Sequence, residues 1–99
     1  MTHREFPLPE GHVYGPGRKA KMHDGTQGHD GFWLAYLQKA LRLRWGFAGV
    51  YPTGHLDVAT QAALVELQRA TGANPSGWLD RDTWNKVFTL DPRSLQLNA

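Results

Sequence analysis

Residues 53–60 read Thr-Gly-His-Leu-Asp-Val-Ala-Thr, and residues 76–83 read Ser-Gly-Trp-Leu-Asp-Arg-Asp-Thr. The two segments share a hydroxyl residue, Gly, Leu, Asp and Thr at equivalent positions. A glycine permits the positive φ of a tight chain reversal, which predicts a turn at Gly54 and another at Gly77. An Asp after such a turn favours a helix N-cap, because its carboxylate accepts from free backbone N–H groups. The repetition therefore predicts a small helical domain in which one turn-and-cap element is used twice.

Apolar spacing predicts three helices around these segments. Leucines recur at helical spacing within residues 31–45, and glycines follow that stretch. Similar patterns predict a second helix over residues 58–71 and a third over residues 81–89, before the helix-breaking Pro92. We therefore expect an all-α fold, a small three-helix orthogonal bundle with two similar turn and N-cap elements.

Residues 1–30 are expected to form an extended arm before a domain at residues 31–90, with a tail at residues 91–99. The arm is rich in Pro, Gly and His, and it carries too little apolar surface to fold by itself. If it is ordered, it must lie on its own domain or on a neighbouring protein. The apolar anchors that we expect to bind a partner are Phe6, Leu8 and Tyr14.

The arm also repeats the triplet His-Asp-Gly, at residues 23–25 and 29–31. Imidazole and carboxylate both bind zinc, but no helical His pair or His-Glu-x-x-His pattern supports a metal site. The alternative is that the triplets supply turn and cap residues, with Asp30 as the N-cap of the first helix. We therefore expect no metal and no cofactor.

Several sequence elements follow one another in a characteristic order. They are Leu37-Gln38, the turn from Gly54 to Thr60, Ala63-Leu64, Leu67-Gln68, Gly72, the turn from Gly77 to Trp84, and Val87-Phe88. This order resembles the three-helix peptidoglycan-binding domain of cell-wall hydrolases and phage endolysins, over residues 30–90. Residues 8–15 resemble segments that precede the wall-binding domain in some actinobacteriophage lysins.

The resemblance implies a non-catalytic, phage-encoded module that binds peptidoglycan. In that family the loops between helices line the ligand groove, and flat rings beside glycines suit sugars and peptide stems. The ligand-binding candidates are Tyr51, Gly54, His55, Gly77 and Trp78. Trp45 and Trp78 have a second interpretation as core residues, because large aromatic side chains are mostly buried.

The same fold is compatible with protein contacts. The alternative function is a virion accessory protein, a capsid or tail decoration that docks on other phage structural proteins through the N-terminal arm. Fold alone does not distinguish the two functions.

Composition restricts the remaining possibilities. The 99 residues include no cysteine, which excludes disulfides and thiolate metal sites, and a net charge of +2 does not favour nucleic acid. No segment behind Met1 resembles a signal peptide, and no apolar run has membrane-spanning length. We therefore expect synthesis in the host cytoplasm, no membrane partner, and action at the cell wall or within a virion. Neither a facing carboxylate pair nor a nucleophile motif is evident, so an enzyme is not expected.

Overall fold

The computed structural model describes residues 5–15, 21–25 and 29–94. It is mostly helical, with a small sheet near the N-terminus. Its elements are β1 (Val13–Tyr14), β2 (Met22–His23), α1 (Asp30–Leu43), α2 (Val58–Ala70), α3 (Arg81–Thr89) and a 3-10 turn (Pro92–Ser94). The three predicted helices are confirmed, although α1 ends at Leu43 and not at Trp45. The orthogonal crossing of the helices stays a prediction.

Both repeated segments begin helices as the sequence predicts. The Asp57 carboxylate accepts from the backbone N–H of Thr60 at 2.9 Å, and the Asp80 carboxylate accepts from that of Thr83 at 2.8 Å. The glycines of the two turns have φ of +82° and +75°. These caps satisfy backbone donors that the first helical turn leaves unpaired.

One hydrophobic core joins all three helices. Trp84 of α3 is fully buried, and its ring lies 6.0 Å from that of Tyr36 on α1. Beyond the end of α1, the Trp45 indole N–H donates to the Val87 carbonyl at 2.8 Å and ties that end to α3. The interpretation of Trp45 as a core residue is confirmed, because the side chain is buried and its polar atom is paired.

The described part of the predicted arm belongs to the same core. Phe6, Leu8 and Tyr14 are all buried, and the Phe6 ring lies 5.7 Å from Trp84 and 5.9 Å from Tyr14. These three side chains were predicted to bind a partner, and their burial in the core of their own chain corrects that prediction. The physical reason is that three apolar side chains gain more by closing the small core of their own chain than by staying in water.

The N-terminal segment, residues 5–15 and 21–25, adds a small sheet to the expected helical bundle. Strands β1 and β2 pair in parallel, with Val13 opposite Met22 and Tyr14 opposite His23. On the other side of β1, Tyr14 and Leu79 exchange two backbone hydrogen bonds of 2.9 Å. Backbone groups that are pressed against a core must be paired, and these ladders pair them.

The tail prediction for residues 95–99 lies outside the described residues, as do positions 1–4, 16–20 and 26–28 of the arm. Within the described ranges, no helix combines the length and the apolarity needed to cross a membrane.

Candidate functional site

The first loop, residues 53–57, is built around a glutamine of α1. The Gln38 carboxamide oxygen accepts from the Gly54 N–H at 2.9 Å. Its nitrogen donates to the His55 carbonyl at 2.7 Å and lies 2.9 Å from the Thr60 hydroxyl. Gln38 is fully buried, so one side chain pairs the interior polar groups of the loop.

The second loop, residues 76–80, has the same arrangement around a glutamine of α2. The Gln68 carboxamide oxygen accepts from the Gly77 N–H at 2.9 Å. Its nitrogen donates to the Trp78 carbonyl at 2.9 Å and lies 3.1 Å from the Thr83 hydroxyl. Each loop is thus clamped by a glutamine from the preceding helix, and the matched loop conformations that the repeat predicts are confirmed.

The role of these two glutamines was not predicted from the sequence. The signal was the recurrence of Leu-Gln at residues 37–38 and 67–68, one pair before each loop. A buried, fully paired glutamine has no sequence mark that separates it from an exposed one, since its burial depends on the loop folding over it.

Additional polar contacts close the outer side of the first loop. The Asp57 carboxylate lies 3.1 Å from the Thr53 hydroxyl and accepts from the Thr60 hydroxyl at 2.6 Å. Burial by itself raises the pKa of Asp57, but the hydrogen bonds from Thr60 and Thr53 outweigh it and hold the pKa below its usual value. The carboxylate therefore stays charged at neutral pH and keeps the cap in place.

The two loops approach each other along the first turns of α2. The Gln61 side chain donates to the Leu56 carbonyl of the first loop at 3.4 Å. A side-chain carbon placed on Gly77 of the second loop would lie 3.4 Å from the Gln61 carbonyl and 3.2 Å from Val65. The fold therefore brings both loops to one helix, although they are far apart in sequence.

The five predicted ligand-binding residues divide into two groups. Tyr51, His55 and Trp78 are exposed, with 57% of the Tyr51 surface and 41% of the Trp78 surface accessible. Gly54 and Gly77 are buried, and the glutamine clamps already occupy their N–H groups. The exposed side chains are available to a ligand, whereas the two glycines shape the loops.

Tyr51 is held in place by an arginine. The Arg42 guanidinium lies 4.4 Å from the centre of the Tyr51 ring, within cation–π distance, and donates to the Ala48 and Val50 carbonyls. One face of the ring is therefore covered, and the segment before the first loop is tied to α1.

An apolar groove of about 290 Å³ runs between that segment and α2. The residues that line it are Phe47, Ala48, Gly49, Val50, Ala59, Ala62, Ala63 and Glu66. The groove was not predicted from the sequence. The alanines at positions 59, 62 and 63 recur at helical spacing, but small residues at that spacing are as typical of close packing as of an open groove.

The repeated His-Asp-Gly triplets also have a structural explanation. His23 Nδ1 lies 2.8 Å from an Asp30 carboxylate oxygen, so one triplet bonds to the other. Asp30 is the first residue of α1 and not its N-cap; the N-cap is His29, which makes no side-chain cap hydrogen bond. Among the described residues, no group of three or more His, Cys, Asp or Glu side chains is arranged to hold a metal ion.

The glycines of the triplets pack against the first loop. A side-chain carbon on Gly25 would overlap the Gly54 carbonyl oxygen, and one on Gly54 would lie 3.0 Å from the Gly31 carbonyl oxygen. Gly25 also has a φ of +98°, which disfavours any other residue. The three backbones meet at a distance that only glycines allow.

The features that this helical domain offers to a ligand are two clamped loops, exposed aromatic side chains and a neighbouring apolar groove. The model of the PG_binding_1 peptidoglycan-binding domain family matches residues 34–87, more than half of the chain and both loops. The chain belongs to this peptidoglycan-binding domain family. Comparison with curated proteins and with solved structures found no match.

Proposed function

We propose that the chain is a non-catalytic, phage-encoded module that binds bacterial cell-wall peptidoglycan through the surface beside its two loops. The observation that carries the proposal is the family match over residues 34–87, which contains both loops and every residue of the groove. Membership of a binding family supports attachment to the wall and adds no catalytic group.

The proposed ligand-binding surface consists of the groove and Tyr51. The groove is lined by small apolar side chains, with one carboxylate, that of Glu66, in its lining. Such a surface suits the short apolar and amine-bearing residues of a peptide stem, while the part of the Tyr51 ring that Arg42 leaves exposed is available to a sugar ring.

Trp78 is the proposed second contact. Its backbone carbonyl is fixed by Gln68, and its N–H donates to the Ser76 hydroxyl at 3.1 Å, so its main chain is held while the side chain stays partly exposed. A rigid backbone that presents an aromatic ring loses little conformational entropy on binding.

The test is co-sedimentation of the purified chain with isolated cell-wall sacculi, in wild-type form and as Tyr51→Ala and Trp78→Ala. We expect each variant to bind at least about fivefold more weakly, the effect of losing one aromatic contact. Phe32→Ala is the matched control, since Phe32 is an exposed aromatic of α1 outside the family match. Wild-type protein that stays in the supernatant contradicts the function, and equal losses for all three variants contradict the site.

A second pair of variants tests the groove. Ala62→Gln fills it from α2, whereas Ala70→Gln adds the same side chain at the other end of that helix; both alanines are exposed. We expect Ala62→Gln to weaken sacculus binding and Ala70→Gln to leave it unchanged, with equal thermal stability. Equal binding by the two variants would remove the groove from the proposal.

The virion accessory function depended on the arm anchors Phe6, Leu8 and Tyr14. These side chains are buried in the core of their own chain and are therefore not accessible to a docking partner. No described feature favours it over wall binding.

A further inference from the structure

Three side chains form a continuous hydrogen-bonded chain between the N-terminal segment and α1. His12 Nδ1, directly before β1, lies 3.0 Å from His23 Nε2 on β2. His23 Nδ1 lies 2.8 Å from the carboxylate of Asp30, the first residue of α1. Only 17% of the His23 side chain and 13% of the Asp30 side chain are accessible to solvent. The chain therefore joins β1, β2 and α1 through partly buried groups.

Other described side chains lie close to this hydrogen-bonded cluster. From β1, the Tyr14 hydroxyl donates to the other Asp30 oxygen at 3.5 Å. Burial, and secondarily the Asp30 charge, raise the pKa of Tyr14 far above its usual value, so the hydroxyl stays protonated. His12 also lines a groove with Glu10, Asp80, Arg81 and Asp82. Among the described residues, the charged groups that line this groove with His12 are three carboxylates and one guanidinium.

The contact between the two imidazoles limits how many protons the pair can hold. When both rings are neutral, His23 Nδ1–H donates to Asp30, and His23 Nε2 accepts from His12 Nδ1–H. A first proton can reverse the bond between the rings, because His23 Nε2–H then donates to a neutral His12 Nδ1. A second proton places N–H groups on both facing nitrogens, so the hydrogen bond is lost and two like charges face each other.

The hydrogen-bonded cluster of His12, His23 and Asp30 is connected to the first loop through neighbouring glycines. Gly25 follows His23 by two positions and packs on the Gly54 carbonyl, while Gly31 follows Asp30 directly and packs on Gly54 from α1. Release of His23 from its partners would therefore loosen the segment that covers the loop. The second loop is joined to the same segment through the backbone pair of Tyr14 and Leu79.

We infer that His12, His23 and Asp30 form an acid-sensitive latch that fixes the N-terminal segment over the first loop. With at most one proton on the histidine pair the latch is closed, and a second proton opens it. Because the unfolded chain accepts both protons freely while the contact between the two rings disfavours the second one, the stability from the latch is present at neutral pH and is lost in acid. Its effect on ligand binding rests on the proposed wall-binding function; the latch itself does not.

Amide hydrogen exchange measured by NMR tests the latch without any ligand. The reporters are the N–H groups of Val13 and Gly15, which donate to Lys21 and His23, and the reference is the Thr71 N–H at the end of α2. After correction for intrinsic exchange rates, we expect protection of both reporters to fall about tenfold between about pH 7.5 and pH 5, with the reference unchanged.

The decisive variant is His12→Asn. An Asn side chain places an amide where Nδ1 stood, and it can accept from or donate to His23 without taking a proton. We expect the variant to keep the reporters protected at both pH values, so that the pH dependence disappears. The matched control is His29→Asn, which removes an exposed imidazole that does not belong to the hydrogen-bonded cluster of His12, His23 and Asp30. This variant should keep the wild-type pH dependence.

Equal pH dependence in wild type and His12→Asn overturns the latch. Loss of protection in His12→Asn at both pH values would also overturn it, because the cluster would then be a static support. Failure to bind sacculi at any pH bears only on the proposed function. If wall binding is observed, acid should weaken it in the wild type more than in His12→Asn.

Discussion

The two clamped loops have the same interior and different surroundings. In each, a glutamine accepts from the glycine N–H, donates to the next carbonyl and contacts the threonine hydroxyl of the following helix. The first loop is covered by the backbones of Gly25 and Gly31, whereas the second is joined to β1 through Tyr14 and Leu79. The same glutamine contacts thus hold the loop before α2 and the loop before α3. The residues that pack around each loop determine which of its surfaces is exposed.

The exposed position after the glycine shows the consequence. It holds His55 in the first loop and Trp78 in the second, with both backbone carbonyls fixed by a glutamine. Because the main chain is fixed from inside, the same loop conformation accommodates two different side chains at this position. The loops are therefore equivalent in their interior contacts and differ in the side chains that they expose.

Removal of the clamps should have the largest effect. Gln38→Leu and Gln68→Leu each leave several buried polar groups of one loop without a partner, so we expect the free energy of unfolding to fall by about 3–5 kcal/mol in each. Urea denaturation measures the loss. Lys39→Gln and Arg69→Gln are the controls, since they change exposed neighbours on the same helices. A large loss in only one of the two Leu variants would show that the loops are not equivalent.

The cover of the first loop is tested by Gly25→Ala. The added carbon overlaps the Gly54 carbonyl oxygen and occupies a φ of +98°, so we expect a loss of about 2–4 kcal/mol in thermal or urea unfolding. Gly11→Ala separates the two causes, because Gly11 has a φ of +84° with nothing within 4 Å of the added carbon. That control should lose only about 1 kcal/mol. Equal losses would mean that the contact with the first loop contributes nothing.

The N-caps should show the smallest effect. Asp57→Ala and Asp80→Ala each remove a carboxylate that accepts from a first-turn N–H, and we expect each to cost about 1 kcal/mol at neutral pH. The pKa of Asp57 is lowered in the folded chain, so its stabilisation is present above the ordinary pKa of an aspartate and is lost as the pH falls through the folded value. Unfolding of wild type and Asp57→Ala at neutral and strongly acid pH should show the difference between them shrinking in acid. A constant difference would contradict the charged cap.

Much of the helical frame could be predicted because its signals are local. A glycine that needs positive φ, an aspartate that caps and leucines at helical spacing act within a few residues, and they placed the starts of α2 and α3 correctly. Trp45 could not be assigned in the same way. Its indole N–H is paired only because α3 brings the Val87 carbonyl to it, which is a tertiary contact.

The contacts of the N-terminal segment could not be predicted from the sequence. Phe6, Leu8 and Tyr14 lie among prolines and glycines that suppress any regular period, so their apolar character predicted a contact without identifying its partner. The contact is with Trp84 and Leu79, residues from the far end of the chain. Likewise, the triplets of His23 and Asp30 were visible as a repeat, but only the fold shows that they bond to each other.

The sequence by itself determined the helices, the two turns with their caps and the family, because each depends on short-range backbone preferences and on a fixed order of residues. Only the tertiary structure decided which glutamines are buried, where the N-terminal segment lies, and that an apolar groove opens beside α2. Those features arise from side chains that meet across the core, and whether such groups are buried, paired or exposed is a property of the assembled fold.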